Sequence, residues 1–170
     1  KNMSDHKTEK AGHSPQHNEQ NHELSLAIKD FERLKTEVNF NRIASKVVPI
    51  SASPEKFVCT LVIEPEHLNI KGTLHGSLSA SLVDICTSRA IRVTEKEKGL
   101  ASVELSVSYL LPVNLGDRME IEARVLKIGS ILAFAEVEFR RPDGKIAVKG
   151  KHTVTLLPSK SAVAAPRKVI

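Results

Sequence analysis

Residues 69–88, NIKGTLHGSLSASLVDICTS, contain the side chains whose types and spacing could perform chemistry. Asn69 opens a polar, turn-prone loop that ends at His75-Gly76, and the residues that follow can form a long helix without a proline. The first N–H groups of a helix are free and lie at the positive end of its dipole, so they can polarise a carbonyl or bind an anion. The sequence therefore predicts a carbonyl- or anion-binding helix start at Gly76.

The same predicted helix carries a narrow polar stripe. At about 100° per residue, four polar side chains fall within roughly 60° of one another, namely Ser77, Ser81, Asp84 and Ser88. The helix is apolar on nearly all other sides, which predicts that it is enclosed in a core. A buried carboxylate is costly unless it is hydrogen-bonded or used. Two interpretations stay open for Asp84: a structural carboxylate satisfied by serines, or a functional one two turns from the helix start.

Most elements around this helix are predicted to be strands. Apolar residues at three- and four-residue intervals predict an amphipathic helix over residues 23–38, packed on one edge or end of a sheet. Two extended segments, 40–51 and 57–63, predict a hairpin. Four further strands with short connections predict an antiparallel meander, namely 101–111, 119–128, 132–140 and 146–157. The only long apolar helix, 77–95, must cover this sheet, so we expect the α+β class, with a curved antiparallel sheet wrapped round one central helix.

Length and composition fit one domain with two tails. The chain has 170 residues, of which 41% are hydrophobic, and we expect a domain over residues 21–157 between a disordered tail at 1–20 and a flexible tail at 158–170. A net charge of +5 favours anionic partners, whereas an aromatic content of 4% without Trp argues against nucleic acid. No integral membrane segment and no secretory signal are visible. With unpaired thiols expected at Cys59 and Cys86, the prediction is a cytoplasmic or mitochondrial protein that is not secreted.

The loop-helix layout resembles the hotdog fold, and more narrowly the PaaI-type acyl-CoA thioesterases, over about residues 30–157. The residues that carry this resemblance are Asn69, the GTLHG run ending at Gly76, Asp84, Ser102, the Tyr109-x-x-Pro112 motif and the Gly150-x-His152-Thr153 motif. In this family two domains pair side by side into one continuous sheet. The resemblance therefore implies a homodimer as the minimum, a homotetramer as a dimer of dimers, and an active site that spans the dimer interface.

The resemblance also implies roles for individual residues. The Gly76 N–H would bind the carbonyl oxygen of a medium- or long-chain fatty acyl-CoA, and Asn69, with His75 in the same loop, would hold the carbonyl or the leaving thiol. Asp84 of the partner subunit would activate or orient water, and Ser102 would help to hold that water. Whether Asp84 acts as base or nucleophile stays open. No cofactor and no metal are expected, because a thioester carbonyl is already electrophilic.

Some residues depart from the family pattern. The family usually has a second Gly after His-Gly, but this chain has Ser77, which would cap the helix or narrow the approach to the carbonyl. Arg89, Arg92 and Lys96 in the second half of the helix are unusual for an enclosed helix. They would either complement the negative end of the helix dipole or contact phosphates of coenzyme A.

Two other functions are weighed against hydrolysis. The first is a non-catalytic hotdog subunit that binds acyl-CoA or has a structural role in a larger assembly. The second is a hotdog hydratase, which pairs an Asp with a His five residues later in this loop. Ile70 stands five residues before His75, which disfavours a hydratase.

Overall fold

The computed structural model describes residues 15–54 and 56–159. The elements in chain order are α1 (Pro15–Arg33), the short 3₁₀ helix η1 (Phe40–Ala44), β1 (Val48–Ser53), β2 (Lys56–Val62), the 3₁₀ turn η2 (Pro65–His67), α2 (Gly76–Thr94), β3 (Gly99–Tyr109), β4 (Arg118–Ile128), β5 (Leu132–Arg140) and β6 (Ile146–Leu157). The strands form one antiparallel sheet in the order β1-β2-β4-β5-β6-β3. The predicted α+β class, with an antiparallel sheet against a central helix and an extra N-terminal helix, is confirmed.

Helix α2 lies against the sheet because its apolar side chains form one broad face. Leu82, Val83, Cys86 and Ala90 on this face are completely buried. The close approach depends on Gly150 in β6. A Cβ atom at that position would lie 2.6 and 2.7 Å from the two methyl groups of Val83, far inside ordinary carbon–carbon contact.

The predicted meander of four strands is wrong for its first strand. β3 pairs with β6, and β4 pairs with β2 and β5, so only β4–β6 form a meander. The link after β3 is anchored at the end of β2, where Gly116 N–H donates to Ile63 O and Ile63 N–H donates to Asp117 O. These contacts start β4 beside β2, which leaves β3 at the far edge of the sheet.

The N-terminal helix differs from its predicted bounds. It begins at Pro15, inside the tail predicted for residues 1–20, and ends at Arg33. Its second half is anchored by Ala27 and Phe31, which are buried, and the Phe31 ring stacks on Phe57 at 5.8 Å. Once that half is docked, the polar residues before it can extend the helix at little further cost, because propagation is easier than nucleation. Residues 1–14 and 160–170, where most of the two predicted tails fall, lie outside the described residues.

Two further differences concern residues 40–51 and the basic residues of α2. The segment predicted as extended starts with η1, because the Asn39 side chain caps it by accepting the Asn41 N–H. Two of the basic residues form ion pairs with α1: Arg89 of α2 contacts Asp30 at 2.8 Å, and Lys96, just beyond the end of α2, contacts Glu23 at 2.6 Å. Contact of these residues with phosphates of coenzyme A stays a prediction. No helix among the described residues is long and apolar enough to cross a membrane.

Candidate active site

The start of α2 offers a free backbone donor. His75 is the N-cap residue, and its Nδ1 atom accepts the Ser77 N–H at 3.1 Å. The Ser77 hydroxyl lies 2.7 Å from the same nitrogen, so the cap is His75, and Ser77 braces the capping ring. Within the described residues, the Gly76 N–H has no hydrogen-bond acceptor. It is therefore available to a carbonyl oxygen of a ligand, and the positive end of the helix dipole adds to its effect.

Tyr109 at the end of β3 fixes the position of this donor. Its hydroxyl donates to the Gly76 carbonyl oxygen at 3.0 Å, and a Cβ atom added at Gly76 would lie 3.4 Å from the Tyr109 ring. Gly76, Tyr109 and Asn69 share a cavity of about 360 Å³. The Gly76 amide thus belongs to a cavity large enough for the reacting end of a small ligand.

Asn69 organises the loop that leads to α2. Its Oδ1 accepts the N–H groups of Lys71 at 2.8 Å and Thr73 at 3.3 Å. Its Nδ2 donates to the Thr73 hydroxyl at 3.0 Å and contacts the Leu74 carbonyl at 3.4 Å. Both ends of the side chain are therefore occupied within the loop. The contact between Asn69 and a thioester stays a prediction, and its role in this structure is to shape the turn.

Asp84 is not enclosed in the core, contrary to the expectation for the polar stripe. Its side chain is 45% exposed and borders a second cavity of about 560 Å³. Oδ1 accepts a hydrogen bond from the Ser102 hydroxyl at 2.8 Å and lies 3.2 Å from His152 Nε2. Oδ2 has no partner among the described residues. One oxygen is therefore held by the protein, and the other is open to a water molecule.

A β-bulge brings Ser102 to Asp84. The register between β3 and β6 shifts between Ser102 and Glu104, so Val103 is an extra residue in β3. Without this shift, strict alternation would place Ser102 on the opposite face from Leu105. With it, both face α2. Bulges commonly redirect a side chain beside an active site. This bulge directs Ser102, which the sequence pattern placed on the polar face, toward Asp84 as a hydrogen-bond donor.

His152 and Thr87 complete the support of Asp84, and the sequence analysis assigned neither a role. His152 is fully buried, and its Nδ1 lies 2.7 Å from the Thr87 hydroxyl. The Thr87 hydroxyl itself donates to the Val83 carbonyl oxygen at 2.6 Å, and the other ring nitrogen, Nε2, faces the Asp84 carboxylate. Burial lowers the pKa of His152, although the charge of Asp84 acts in the opposite direction. The signal in the sequence was an inward-facing His in β6, between Gly150 and Val154.

The free amide and the open carboxylate lie at different places on one helix. Gly76 and Asp84 are eight residues apart, which is about 12 Å of helix rise, and they border different cavities. For attack on a carbonyl whose oxygen is bound to Gly76, a water bound to Asp84 must lie within about 3 Å of the carbonyl carbon. Within one chain, the Gly76 amide and the open oxygen of Asp84 therefore cannot reach the same carbonyl carbon.

The outer edge of the sheet suits a second copy of the chain. β3 is an edge strand that is paired only with β6 in the described sheet, so its other backbone edge is free. Three large side chains on this strand are exposed: Val103 by 59%, Leu105 by 38% and Tyr109 by 57%. Pairing of two such edges would bury apolar surface and complete backbone hydrogen bonds.

The two cysteines are not placed for nucleophilic chemistry. Cys59 and Cys86 are buried, and their Sγ atoms lie 3.7 Å apart without a disulfide. Burial raises the pKa of Cys59 well above its ordinary value, so its thiol stays protonated. Residues 15–54 and 56–159 also contain no cluster of three or more His, Cys, Asp or Glu side chains that could hold a metal.

Comparisons with known proteins agree on one family. The thioesterase superfamily model matches residues 71–148. A Caenorhabditis elegans protein that carries an esterase name is 50% identical over 141 residues, which are 82% of this chain and 83% of that protein. Human acyl-coenzyme A thioesterase 13 is 40% identical over 116 residues, 68% of this chain and 83% of its own. The crystal structure of zebrafish thioesterase superfamily member 2 superimposes with a TM-score of 0.76 at 36% identity, covering 78% of this chain and 97% of that one.

Proposed function

The chain belongs to the thioesterase superfamily, and on this premise we propose that it hydrolyses medium- and long-chain fatty acyl-CoA thioesters to free acid and coenzyme A. The relatives support thioester hydrolysis, and the name of the human relative supports acyl-CoA as the substrate class. The net charge of +5 suits the phosphates of coenzyme A. The resemblance noted in the sequence is confirmed at the level of the family.

The separation of two groups on one helix carries the proposal. The Gly76 amide and the open oxygen of Asp84 are complementary in chemistry, yet about 12 Å apart along α2. Pairing of two β3 edges would bring the Asp84 of one copy toward the Gly76 of the other. The working unit is therefore at least a homodimer, and two such dimers would give the homotetramer expected from the family.

In the proposed reaction the thioester oxygen accepts a hydrogen bond from the Gly76 N–H, which withdraws electrons from the carbonyl carbon. The open oxygen of the partner subunit's Asp84 holds a water molecule and accepts its proton as the water attacks. The tetrahedral intermediate collapses, the carbon–sulfur bond breaks, and the proton passes to the thiolate of coenzyme A. One water is consumed, and one acid and one thiol are released.

Ser102 and His152 keep the carboxylate in place during these steps. Both lie on Oδ1, at 2.8 and 3.2 Å, which leaves the second oxygen to the water. Neutral His152 adds no charge that would weaken Asp84 as a proton acceptor. We propose a reducing compartment, cytoplasmic or mitochondrial, in which the buried cysteines Cys59 and Cys86 keep free thiols.

The direct experiment is release of free thiol from acyl-CoA by the wild type and by Asp84→Asn. The amide cannot accept the proton, so we expect kcat to fall by at least about 10²-fold. Asp143→Asn is the matched control, because Asp143 lies in an exposed turn and contacts Arg141 and Lys145. It should retain wild-type kcat, and circular dichroism should show both variants folded.

Two results would reject the proposed chemistry. Unchanged turnover in Asp84→Asn would remove the carboxylate from the mechanism. Binding of acyl-CoA in calorimetry, without any thiol release by the wild type, would instead identify the non-catalytic acyl-CoA-binding subunit. The assay and the calorimetry together therefore separate the two functions raised from the sequence.

A further inference from the structure

The cavity that contains the free Gly76 amide needs a second donor to hold a carbonyl oxygen firmly, because that oxygen has two lone pairs. The resemblance to the family suggests Asn69 for this role. However, Asn69 Nδ2 donates to the Thr73 hydroxyl at 3.0 Å and contacts the Leu74 carbonyl at 3.4 Å. A second side-chain donor therefore has to come from another residue on the lining of the same cavity.

The hydroxyl groups on this lining already have acceptors. Tyr109 and Ser79 donate to backbone carbonyl oxygens at the start of α2, at 3.0 and 3.4 Å. The Thr73 hydroxyl contacts both ends of the Asn69 side chain. Among the described residues that line the cavity, Lys71 is the only charged one. Its ammonium carries three N–H donors and has no hydrogen-bond or ion-pair partner within residues 15–54 and 56–159.

The turn that carries Lys71 is fixed without use of its side chain. Asn69 Oδ1 accepts the Lys71 N–H at 2.8 Å, and the Asn69 carbonyl oxygen accepts the Gly72 N–H at 3.0 Å. Gly72 has a φ of +77°, a conformation that glycine adopts without strain. The backbone of Lys71 is therefore held at the cavity, while its flexible stem leaves the ammonium free to move to a ligand.

We propose that Lys71 is a further catalytic residue, whose ammonium donates to the thioester oxygen beside the Gly76 amide. The inference rests on the proposed acyl-CoA hydrolysis and deepens it by adding a second group that stabilises the developing charge. As water attacks, an electron pair of the carbonyl bond moves to oxygen, between the amide N–H and the ammonium. When the carbon–sulfur bond breaks, that pair re-forms the carbonyl bond, and Lys71 keeps its proton throughout.

The walls of the cavity favour this role. Six of the lining residues are apolar, namely Leu74, Leu110, Leu111, Pro112, Val113 and Val148. Lys71 itself is exposed, so water screens its charge before a ligand binds. A substrate that fills the cavity displaces this water, and the ammonium then acts on the oxygen at a lower dielectric constant. Because the charge on that oxygen is largest in the transition state, Lys71 should affect kcat more than KM.

The test compares octanoyl-CoA with S-octanoyl-N-acetylcysteamine, a thioester that has no phosphate groups. Lys71→Met removes the ammonium and keeps a long, unbranched side chain. It should lower kcat at least about tenfold for both substrates and leave KM within about twofold. Lys71→Arg keeps a positive charge with N–H donors and should restore kcat to within about threefold of the wild type. Lys127→Met is the matched control, because Lys127 is exposed and does not border this cavity.

The outcomes distinguish the inference from the function on which it rests. If the wild type releases thiol from neither substrate, the proposed function fails and the inference fails with it. If the wild type is active and Lys71→Met impairs only octanoyl-CoA, Lys71 contacts a phosphate of coenzyme A, and the inference alone is overturned. Wild-type kcat of Lys71→Met on both substrates would overturn it as well. An equal loss of kcat in Lys71→Met and Lys71→Arg would also do so, because the positive charge would then not matter.

Discussion

Substitution of Gly150 by Ala tests whether the close contact between α2 and β6 positions the carboxylate of Asp84, the proposed catalytic group. The added Cβ atom would lie 2.6 and 2.7 Å from the methyl groups of Val83, and 3.0 Å from Val137 Cγ1. Ordinary carbon–carbon contacts are about 3.5–4.0 Å, so Val83 must retreat by about 1 Å. Because Val83 precedes Asp84 on the same helix, the carboxylate must shift with it.

The expected cost is moderate for stability and larger for catalysis. Overpacking of a core costs about 1–3 kcal/mol, and the lower entropy of an unfolded chain with Ala returns about 0.4–1 kcal/mol. A net loss of about 1–2 kcal/mol corresponds to a fall of about 2–8 °C in Tm for a domain of this size. A displacement of about 1 Å at a reacting group can lower the rate about 10²-fold. The fall in kcat should therefore be larger than the loss of folded protein alone would produce.

The assay combines thermal unfolding with thiol release, and Val83→Ala supplies the control. Alone, Val83→Ala should destabilise the protein by about 2–3 kcal/mol through lost burial and a cavity. In the double variant the new methyl group enters the vacated space, so its destabilisation should be at least about 1 kcal/mol smaller than the sum of the two single effects. Strict additivity, or a Gly150→Ala protein with wild-type Tm and kcat, would refute this account of how α2 is seated.

Three further predictions concern the support of Asp84 and the attachment of α1. Ser102→Ala removes a hydrogen bond to the carboxylate and should lower kcat about 10- to 100-fold, whereas Ser106→Ala on the other face of β3 should leave it within about twofold. Burial lowers the pKa of His152, so as pH falls the His152 ring is protonated in the unfolded chain before it is protonated in the folded chain. Stability should therefore decline as pH falls below about 6.5, and urea unfolding of His152→Gln should lack this part of the decline. Burial raises the pKa of Glu23, but the hydrogen bond and charge of Lys96 outweigh it and the net pKa is lowered. The stabilisation of the fold by the Glu23–Lys96 ion pair is therefore complete above the pKa of Glu23 in the unfolded chain, about 4.3. It is lost as pH falls through the lower pKa of Glu23 in the folded chain. Glu23→Gln should cost about 1–2 kcal/mol at pH 7 in urea unfolding and nothing near pH 3, because Lys96 is half exposed and its pairing is weaker than in a buried pair.

Local patterns predicted the elements of the fold well. The last two strands were expected at 132–140 and 146–157, and both have these bounds. The central helix begins within one residue of its predicted start. These features depend on alternation of apolar and polar residues, on turn residues and on an uninterrupted apolar run. All three signals are local, because they involve only residues that are close together in the sequence. The free amide at Gly76 also follows from local structure, since every helix start leaves unpaired N–H groups.

Features that depend on distant parts of the chain were not predictable in this way. The pairing of β3 with β6 depends on where Gly116 and Asp117 attach to the end of β2. The contact of Ser102 with Asp84 needs the bulge at Val103, which only the partner strand reveals. His152 becomes a support for the carboxylate because β6 lies next to β3 and under α2, a relation between three separate segments.

The polar stripe of α2 shows why the helical wheel predicted burial and the structure differs. Composition shows how many faces of a helix are apolar, but not which neighbour covers each face. Here the sheet covers the apolar faces, while the side that carries Asp84 borders an open cavity beside α1 and β3. The carboxylate therefore keeps contact with solvent, while Ser102 and buried His152 lie against one of its oxygens. Under the proposed function, a second copy of the chain that covered this side would exclude bulk water, which would strengthen the interaction of Asp84 with a bound water molecule. Under the same proposal, the open stripe would become a reaction site only once the substrate and a second copy cover it.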